Sequence, residues 1–170
     1  MKRTQFAGAS CPVARAVDVV GDWWSLLIVR NALLGDRRFG EFERNLGVAK
    51  NILTDRLRKL VGAGVFEQVP AADGGAHREY ALTAKGRALL PVVVALGEWA
   101  ACPEAGVAVV DRKRGKPVRL EFRSADGRRL GPDDVRLVPP AGAARRDSDE
   151  DAMSAPGPGA AAGRGGAPAL

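Results

Sequence analysis

The chain has 170 residues with one histidine and two cysteines, and its 26 basic and 20 acidic side chains give a net charge of +6. These counts exclude a fold held by a disulfide framework and a zinc site built from histidine and cysteine alone. There is no apolar run of 18 residues and no signal-peptide pattern, so we expect a cytoplasmic protein without a transmembrane helix. The moderate positive charge suits a polyanionic partner without requiring one.

Composition divides the chain into four segments. Residues 1–9 predict a flexible N-terminus, and residues 10–102 are rich in Leu, Val, Ile and Trp with helical periodicity. Residues 103–138 alternate apolar and charged side chains and predict a small β-rich appendage. In residues 139–170, Ala, Gly and Pro occupy 21 of 32 positions. That last segment cannot bury enough apolar surface to offset chain entropy, so we expect it to be disordered.

Two helices are predicted at the start of the domain. Ser10 can cap the first helix, Pro12 suits its first turn, and Gly21 ends it. Asp22 can cap the second helix, which runs to Gly35 and is apolar on more than one side, so we expect it to be central. The apolar face of the first helix is expected to consist of Val13, Ala16, Val17 and Val20.

The next two helices form a helix-turn-helix pattern. A short third helix covers about residues 40–45, with Phe42 and Leu46 facing inward, and Gly47 breaks it. A fourth helix runs from about residue 49 to residue 62 and has polar outer positions. Its apolar stripe consists of Leu53, Leu57, Leu60 and Val61.

A β-hairpin follows this pattern directly. Residues 65–69 and 78–82 predict two strands, with Tyr80 and Leu82 inward, and the Asp- and Gly-containing residues 71–75 predict the turn. Thr83 can cap a last helix that reaches Trp99 and either bends or begins again near Pro91. Helix, turn, helix and hairpin in this order predict a winged helix-turn-helix, an α+β fold that is mostly helical.

The appendage predicts a β meander of two or three strands. The candidate strands are residues 107–111, 117–122 and 135–138, separated by turns at 112–116 and 125–127. Its apolar set is too small for an independent core. We therefore expect it to pack on its own domain or on a second copy of the chain.

The predicted fourth helix carries residues suited to reading DNA. Lys50 can donate to guanine and Asn51 can pair with adenine, and both lie in the first turn, which meets base edges in recognition helices. The other candidates are Thr54, Asp55, Arg56 and Arg58 on this helix, Arg37 and Arg38 for phosphates, and His77 and Arg78 in the hairpin for the minor groove. Asp55 would either repel phosphate or orient Arg58 or Lys59. Surface helices carry such residues routinely, but the order of elements favours DNA binding over a merely solvated face.

Ordered motifs across residues 10–100 identify a family. They are CPVA at 11–14, DVVG at 18–21, WSLLIVR at 24–30, GDRRF at 35–39, LTDRLRKL at 53–60 and EYALT at 79–83, followed by Gly86 and Trp99. This set closely resembles the HxlR-type winged-helix transcriptional regulators. The resemblance implies a DNA-binding homodimer with contacts from the first and last helices. It also places Ala49 where a Ser or Thr usually caps the recognition helix.

The resemblance gives Cys11 a candidate role, because a cysteine at this place is a redox sensor in several members of the family. A helix N-terminus also favours a thiolate. In a dimer, Cys11 and Cys102 of opposite subunits could approach each other. The alternative is that Cys11 is a small buried apolar residue.

The residues themselves also predict assembly, through surplus apolar side chains on the first helix (residues 11–20) and the last helix (residues 84–99). Val92, Val93, Leu96 and Trp99 exceed what one domain needs for its core, and soluble proteins avoid exposing such a patch. We expect a two-fold interface here. The alternative is that Trp99 closes the core of the single chain.

An enzyme is not expected, because the sequence has no GxSxG motif, no phosphate-binding loop and no pair of histidines. We expect no cofactor and no metal, and the sequence identifies no effector. The alternative function is a winged-helix module for protein–protein contact without sequence-specific DNA binding. Loss of basic groups around the recognition helix would favour that alternative, but Lys50, Arg56, Arg58 and Lys59 are present.

Overall fold

The computed structural model describes residues 9–100 and 109–138. The predicted flexible N-terminus (except its last residue), the predicted disordered tail and Cys102 lie outside the described residues. The chain groups into two compact units that divide after Glu121. Each unit is described by itself below.

Helix α1 spans Pro12–Val20 and begins differently from the prediction. Its N-cap is Cys11, not Ser10, and no side chain caps it. The reason is Pro12, which disfavours helical backbone in the residue before it and leaves Cys11 extended at φ −70° and ψ 119°. The helix ends at Gly21 as predicted, where the Gly21 N–H donates to the carbonyl of Val17 at 2.7 Å.

Helix α2 spans Trp23–Leu34 and lies at the centre of the domain, as predicted. The Asp22 carboxylate accepts hydrogen bonds from the backbone N–H groups of Trp24 and Ser25, at 3.2 and 3.0 Å. This cap satisfies two of the free donors at the helix start. Gly35 ends the helix in the left-handed conformation at φ 118°, which a side chain disfavours.

The helix-turn-helix consists of α3, Phe39–Leu46, and α4, Lys50–Gly62. Gly47 turns the chain between them at φ 62°. On α3, Phe42 is fully buried and Leu46 packs partly buried against the core. On α4, Leu53, Leu57 and Leu60 are each 0% exposed. Burying one such side chain contributes about 1.5–3 kcal/mol, so this stripe fixes the rotation of α4 about its axis.

The wing is an antiparallel hairpin of β1, Phe66–Pro70, and β2, Arg78–Leu82. Its register runs from Phe66 opposite Leu82 to Pro70 opposite Arg78. Tyr80 and Leu82 pack partly buried against the core, and Tyr80 contacts Phe42 and Phe66 edge to face with ring centroids 6.5 Å apart. The predicted hairpin is therefore confirmed, and it is joined to the core by an aromatic cluster.

Two helices follow the wing. Helix α5 spans Ala84–Arg87, and the Thr83 hydroxyl caps it by accepting from the N–H of Gly86 at 3.1 Å. Helix α6 spans Leu90–Ala100 with Pro91 in its first turn. Of the two outcomes expected at Pro91, the helix begins again. Helix α6 packs against α2.

Beyond α6, the first unit includes residues 109–121, where an isolated bridge joins Val110 and Pro117 around the predicted turn at 112–116. The second unit has two short strands, β3, Phe122–Arg123, and β4, Arg129–Leu130, which pair antiparallel around the predicted turn at 125–127. A 3-10 turn spans Pro132–Asp134. The predicted strand at 135–138 is wrong, because these exposed residues have no partner strand within the described part of the chain.

Candidate nucleic-acid interface

The outward face of α4 is polar because the leucine stripe occupies its inward face. Lys50, Asn51 and Thr54 are exposed in and just after the first turn. The N-cap of the helix is Ala49, so no side chain caps it. The Thr54 hydroxyl donates to the carbonyl of Lys50 at 2.8 Å, within the helix. The backbone N–H groups of the first turn thus stay available to an anion, which helix N-termini favour.

Each cation on this face lies near a carboxylate. Arg58 donates to Asp55 at 3.2 Å, and both side chains are well exposed. The Lys50 ammonium lies 3.8 Å from a carboxylate oxygen of Glu43 on α3. Exposed pairs of this kind are worth little in water, so either cation can exchange its partner for another anion at small cost. The outward face is closer to neutral than the count of basic residues suggests.

Arg56 lies apart from the other predicted residues of α4. Its side chain is 26% exposed, and its Nε lies 3.1 Å from the Asp22 carboxylate at the start of α2. The Lys59 ammonium lies 3.9 Å from the same carboxylate and also donates to the carbonyl of Asp18. These two cations tie α4 to the α1–α2 junction rather than extending the outward face.

Arg37 and Arg38 precede α3 and meet a carboxylate from the wing. The side chain of Glu79 on β2 is only 5% exposed. Arg37 Nε lies 2.9 Å from one of its oxygens, and Arg38 Nε donates to the other at 3.3 Å. The other end of the Arg38 guanidinium pairs with Asp73 in the wing loop. The structure thus brings the two predicted phosphate contacts together with two carboxylates.

Hydrogen bonds shift the pKa values of three groups here. The Asp73 side chain, followed by Glu79, raises the pKa of Arg38. The N–H of Gly75, and then Arg38, lower the pKa of Asp73. The backbone N–H groups of Arg37 and Arg38 lower the pKa of Glu41, whose carboxylate accepts from them at 2.7 and 2.8 Å. All three shifts favour the charged forms of these groups.

The wing loop presents the last two predicted residues. His77 and Arg78 are both exposed. Arg78 donates to the carbonyl of Gln68 on the opposite strand at 2.9 Å. The loop is closed by the Ala71 N–H, which donates to the carbonyl of His77 at 3.2 Å. His77 therefore lies at the base of the wing loop, and Arg78 begins β2, the strand that also carries Glu79.

Sequence reasoning missed Glu79, Glu41 and Asp73. Glu41 follows Arg38 by three residues, a spacing at which a carboxylate can cap a helix start. No local spacing in the sequence indicates the contacts of Glu79, because its arginine partners lie about 40 residues away. Asp73 was assigned to the turn, and its contact with Arg38 depends on the same long-range packing.

The fold and this geometry can be compared with known proteins. The family model for the HxlR-like helix-turn-helix matches residues 19–104, half of the chain. The chain belongs to the HxlR-like helix-turn-helix family. An uncharacterized HTH-type transcriptional regulator of Mycobacterium tuberculosis is 40% identical over 120 residues, which cover 71% of either chain. A second such regulator, YvaP of Bacillus subtilis, is 36% identical over 53% of this chain and 85% of its own.

Solved structures support the same fold for this HxlR-like chain. PA1607, a candidate transcription factor, superposes with a TM-score of 0.71 and 52% identity over 79% of this chain and 99% of its own. PA1374 of Pseudomonas aeruginosa, another candidate transcription factor, gives a TM-score of 0.54 and 39% identity over 79% and 96%. The predicted winged-helix fold is confirmed. The family and these relatives are transcriptional regulators rather than enzymes.

The HxlR-like domain exposes apolar side chains on α1, on α6 and at the start of α2. Trp23 is 87% exposed and Trp99 83%. On the predicted apolar face of α1, Val20 is buried, whereas Val13 is 69% exposed and Val17 46% exposed, as expected for a helix with surplus apolar residues. Trp99 does not close the core of the single chain. Val93 packs partly buried against the core instead of belonging to the exposed set, which consists of Val13, Val17, Trp23, Leu90, Val92, Leu96 and Trp99.

Cys11 is exposed and unpaired at the start of α1. The alternative that it is buried in the core of the single chain is therefore wrong. Within the described residues, no group of three or more His, Cys, Asp or Glu side chains could hold a metal ion. In the same residues, no helix is long and apolar enough to cross a membrane.

Proposed function

We propose that this HxlR-like regulator binds double-stranded DNA in a sequence-specific manner, with α4 in the major groove and the β1–β2 wing at its flank. One observation carries the proposal. The leucine stripe of α4 is fully buried, so Lys50, Asn51 and Thr54 face outward from the second helix of a helix-turn-helix. The types of these side chains suit the base edges of the major groove.

The other candidates take supporting roles in this proposal. The pair Arg37 and Arg38 supplies the candidates for phosphate contact next to the groove, and His77 and Arg78 approach the neighbouring minor groove from the wing. Asp55 orients Arg58 through their ion pair. Arg56 acts indirectly, by tying α4 to Asp22.

The proposal includes a homodimer. The apolar set on α1, α6 and the start of α2 contains two tryptophans that are more than 80% exposed. Covering large apolar side chains is favourable by about 25 cal/mol per Å², and two-fold contact between identical faces is the simplest way to cover them. A two-fold dimer presents two copies of α4 to the DNA.

Selection of bound fragments from genomic DNA with the purified protein tests this proposal. We expect an inverted repeat whose half-site centres lie about 34 Å apart, or a multiple of that distance. Fragments without a shared motif, bound no tighter than random duplex at 0.15 M salt, would contradict sequence-specific binding.

The second candidate function is a winged-helix module for protein–protein contact. The near-neutral outward face of α4, where Arg58 pairs with Asp55 and Lys50 lies near Glu43, favours it. The same selection separates the two functions, because a contact module yields no enriched DNA motif. Exposed ion pairs exchange readily, so we place DNA binding first.

We also propose that Cys11 makes the regulator redox-responsive, which its exposure at the start of α1 supports. Diamide would remove two electrons and two protons from a pair of thiols and join them as a disulfide, with Cys102 of the other subunit as the candidate partner. The expected result is a change in operator affinity on oxidation that Cys11→Ser abolishes. Unchanged affinity, with Cys11 unmodified by mass spectrometry, would contradict this role.

A further inference from the structure

Glu79 is a buried carboxylate to which the proposed DNA interface assigns no role. It lies on β2 opposite Val69, and its side chain is 5% exposed. Burying a carboxylate is costly unless charged or hydrogen-bonding partners compensate. Its partners within the described residues are the side chains of Arg37 and Arg38.

The two arginines use this carboxylate differently. Arg38 donates from Nε to Glu79 and from Nη2 to Asp73, so two of the three nitrogens of its guanidinium have carboxylate partners. Arg37 lies near Glu79 only through Nε, at 2.9 Å. The N–H is not aimed at the oxygen, which accepts no hydrogen bond, so this contact is ionic. Within the described residues, the terminal amines of Arg37 have no hydrogen-bond partner, and its side chain is 49% exposed.

The backbone of Arg37 is held by β2 and by α3. Its carbonyl accepts from the N–H of Tyr80 at 2.8 Å, and its N–H donates to Glu41 at 2.7 Å. The residue is thus held at its backbone and lies against Glu79 at Nε, while its side chain is 49% exposed. A guanidinium anchored in this way loses less conformational entropy when it binds an oxyanion.

We propose that Glu79 is a positioning residue that holds the Arg37 guanidinium ready for a DNA phosphate, while Arg38 ties the wing loop to the domain through Asp73. The inference rests on the proposed function and assigns unequal roles to the two adjacent arginines. Arg37 is the phosphate contact, and Arg38 is the link between α3 and the wing.

The direction in which Glu79→Gln changes DNA affinity distinguishes a positioning role from a simple charge effect. Glu79→Gln removes a negative charge near the interface, and Coulomb attraction alone then predicts tighter binding to DNA. Loss of positioning predicts weaker binding, because Arg37 loses its anchor. Glu67→Gln is the matched control. Glu67 lies on β1 of the same wing, is exposed, and has no ion pair within the described residues.

The test measures affinity against salt concentration for the selected fragment and for a random duplex. Each phosphate contact contributes about 0.9 to the slope of log K against log salt. We expect Glu79→Gln to make the line less steep by about this amount per subunit and to weaken binding to both duplexes equally. We expect Arg37→Ala to have the same effect. The variant that combines Glu79→Gln with Arg37→Ala should lose no more affinity than Arg37→Ala alone. Glu67→Gln should keep the slope of the parent.

Arg37→Lys tests the inference without changing a buried residue, should Glu79→Gln fail to fold. It keeps the positive charge but lacks the Nε that lies against Glu79. We therefore expect Arg37→Lys to reduce the steepness of log K against log salt as much as Arg37→Ala does. A parental slope in Arg37→Lys overturns the inference, and so does tighter binding by a folded Glu79→Gln protein. A parent chain that binds no duplex overturns the proposed function and the inference with it, whereas these variant results leave the proposed function standing.

Discussion

Three carboxylates of this domain bind helix starts or basic side chains of other segments. Asp22 caps α2 and lies 3.1 Å from Arg56 on α4, while Glu41 caps the start of α3 by accepting two backbone N–H groups. Glu79 lies between two arginines. Each of these carboxylates joins segments that are distant in sequence or begins a helix, so its charge contributes to the fold as well as to the surface potential.

Glu41 predicts a pH-dependent contribution to stability. Its pKa is lowered in the folded chain by the N–H groups of Arg37 and Arg38. The stabilisation is therefore fully present above the unfolded pKa of about 4.3 and is lost as the pH falls through the lower folded value. We expect Glu41→Gln to lower the free energy of unfolding at pH 7, with the deficit shrinking as the pH falls below about 4.

Urea denaturation from pH 7 to pH 3 measures this difference, with Glu67→Gln as the control. Glu67 is exposed on β1, and its substitution should follow the parent across the range. A Glu41→Gln deficit that stays constant down to pH 3 would show that the carboxylate charge is not its source.

At this scale the sequence predicted local contacts better than distant ones. The Asp22 cap and the inward leucines of α4 follow from spacing within one helix. The position of Arg56 does not, because its partner Asp22 lies 34 residues earlier and its helix position alone is compatible with either face. The candidate phosphate contacts Arg37 and Arg38 were predicted, but the carboxylate that holds them was not.

At the scale of elements, the helices and the wing were predictable because caps, glycines and periodic apolar residues mark them in the sequence. Two predictions at this scale were wrong, for different reasons. Pro12 moved the first cap from Ser10 to Cys11, and residues 135–138 alternate like a strand but lack a partner within the described part of the chain. Alternation predicts which residues share a face, whereas pairing decides whether a strand forms.

The contact between α5 and the wing gives a prediction about Gly86. A Cβ at this position would lie 2.2 Å from the carbonyl oxygen of Val65 and 2.8 Å from the Leu82 side chain. The nearest atom to the added Cβ is a backbone oxygen, which cannot move aside as a flexible side chain can. We therefore expect Gly86→Ala to destabilise the domain by about 1–3 kcal/mol. The measurement is thermal unfolding followed by circular dichroism.

Gly62→Ala is the matched control, since Gly62 ends α4 and a Cβ there meets nothing within 4 Å. Alanine has the higher helix propensity, so this change should leave stability equal or raise it by up to about 1 kcal/mol. Equal melting temperatures for Gly86→Ala and the parent would contradict the close approach of α5 to the Val65 carbonyl.

At the scale of the whole molecule, the apolar set on α1, α6 and the start of α2 was predicted in part. The sequence indicated surplus apolar residues on the first and last helices, and the structure adds Trp23 at the start of α2. Trp23 escaped prediction because α2 is apolar on several sides, so its sequence does not show which tryptophan faces the core. Trp24, next to it, packs partly buried against that core.

We expect the purified protein to sediment at twice the mass of one chain at micromolar concentration. Leu96→Arg with Trp99→Arg should yield monomers, because two charges on this face cannot be buried against their own copies. Leu96 is 44% and Trp99 83% exposed in the single chain, so the change costs little of the domain's own core. A parent protein that stays monomeric at 100 micromolar would contradict the dimer.

The measurement that tests the central claim most directly compares Asn51→Ala with the parent on the selected fragment and on a random duplex of equal length. Asn51 is exposed in the first turn of α4, and an amide that pairs with adenine contributes about 1–3 kcal/mol of discrimination. We predict that Asn51→Ala loses affinity for the selected fragment while its affinity for the random duplex is unchanged, and that Lys50→Ala also lowers the ratio of the two affinities. Binding curves for both variants that match the parent on both duplexes would contradict the reading of bases by α4.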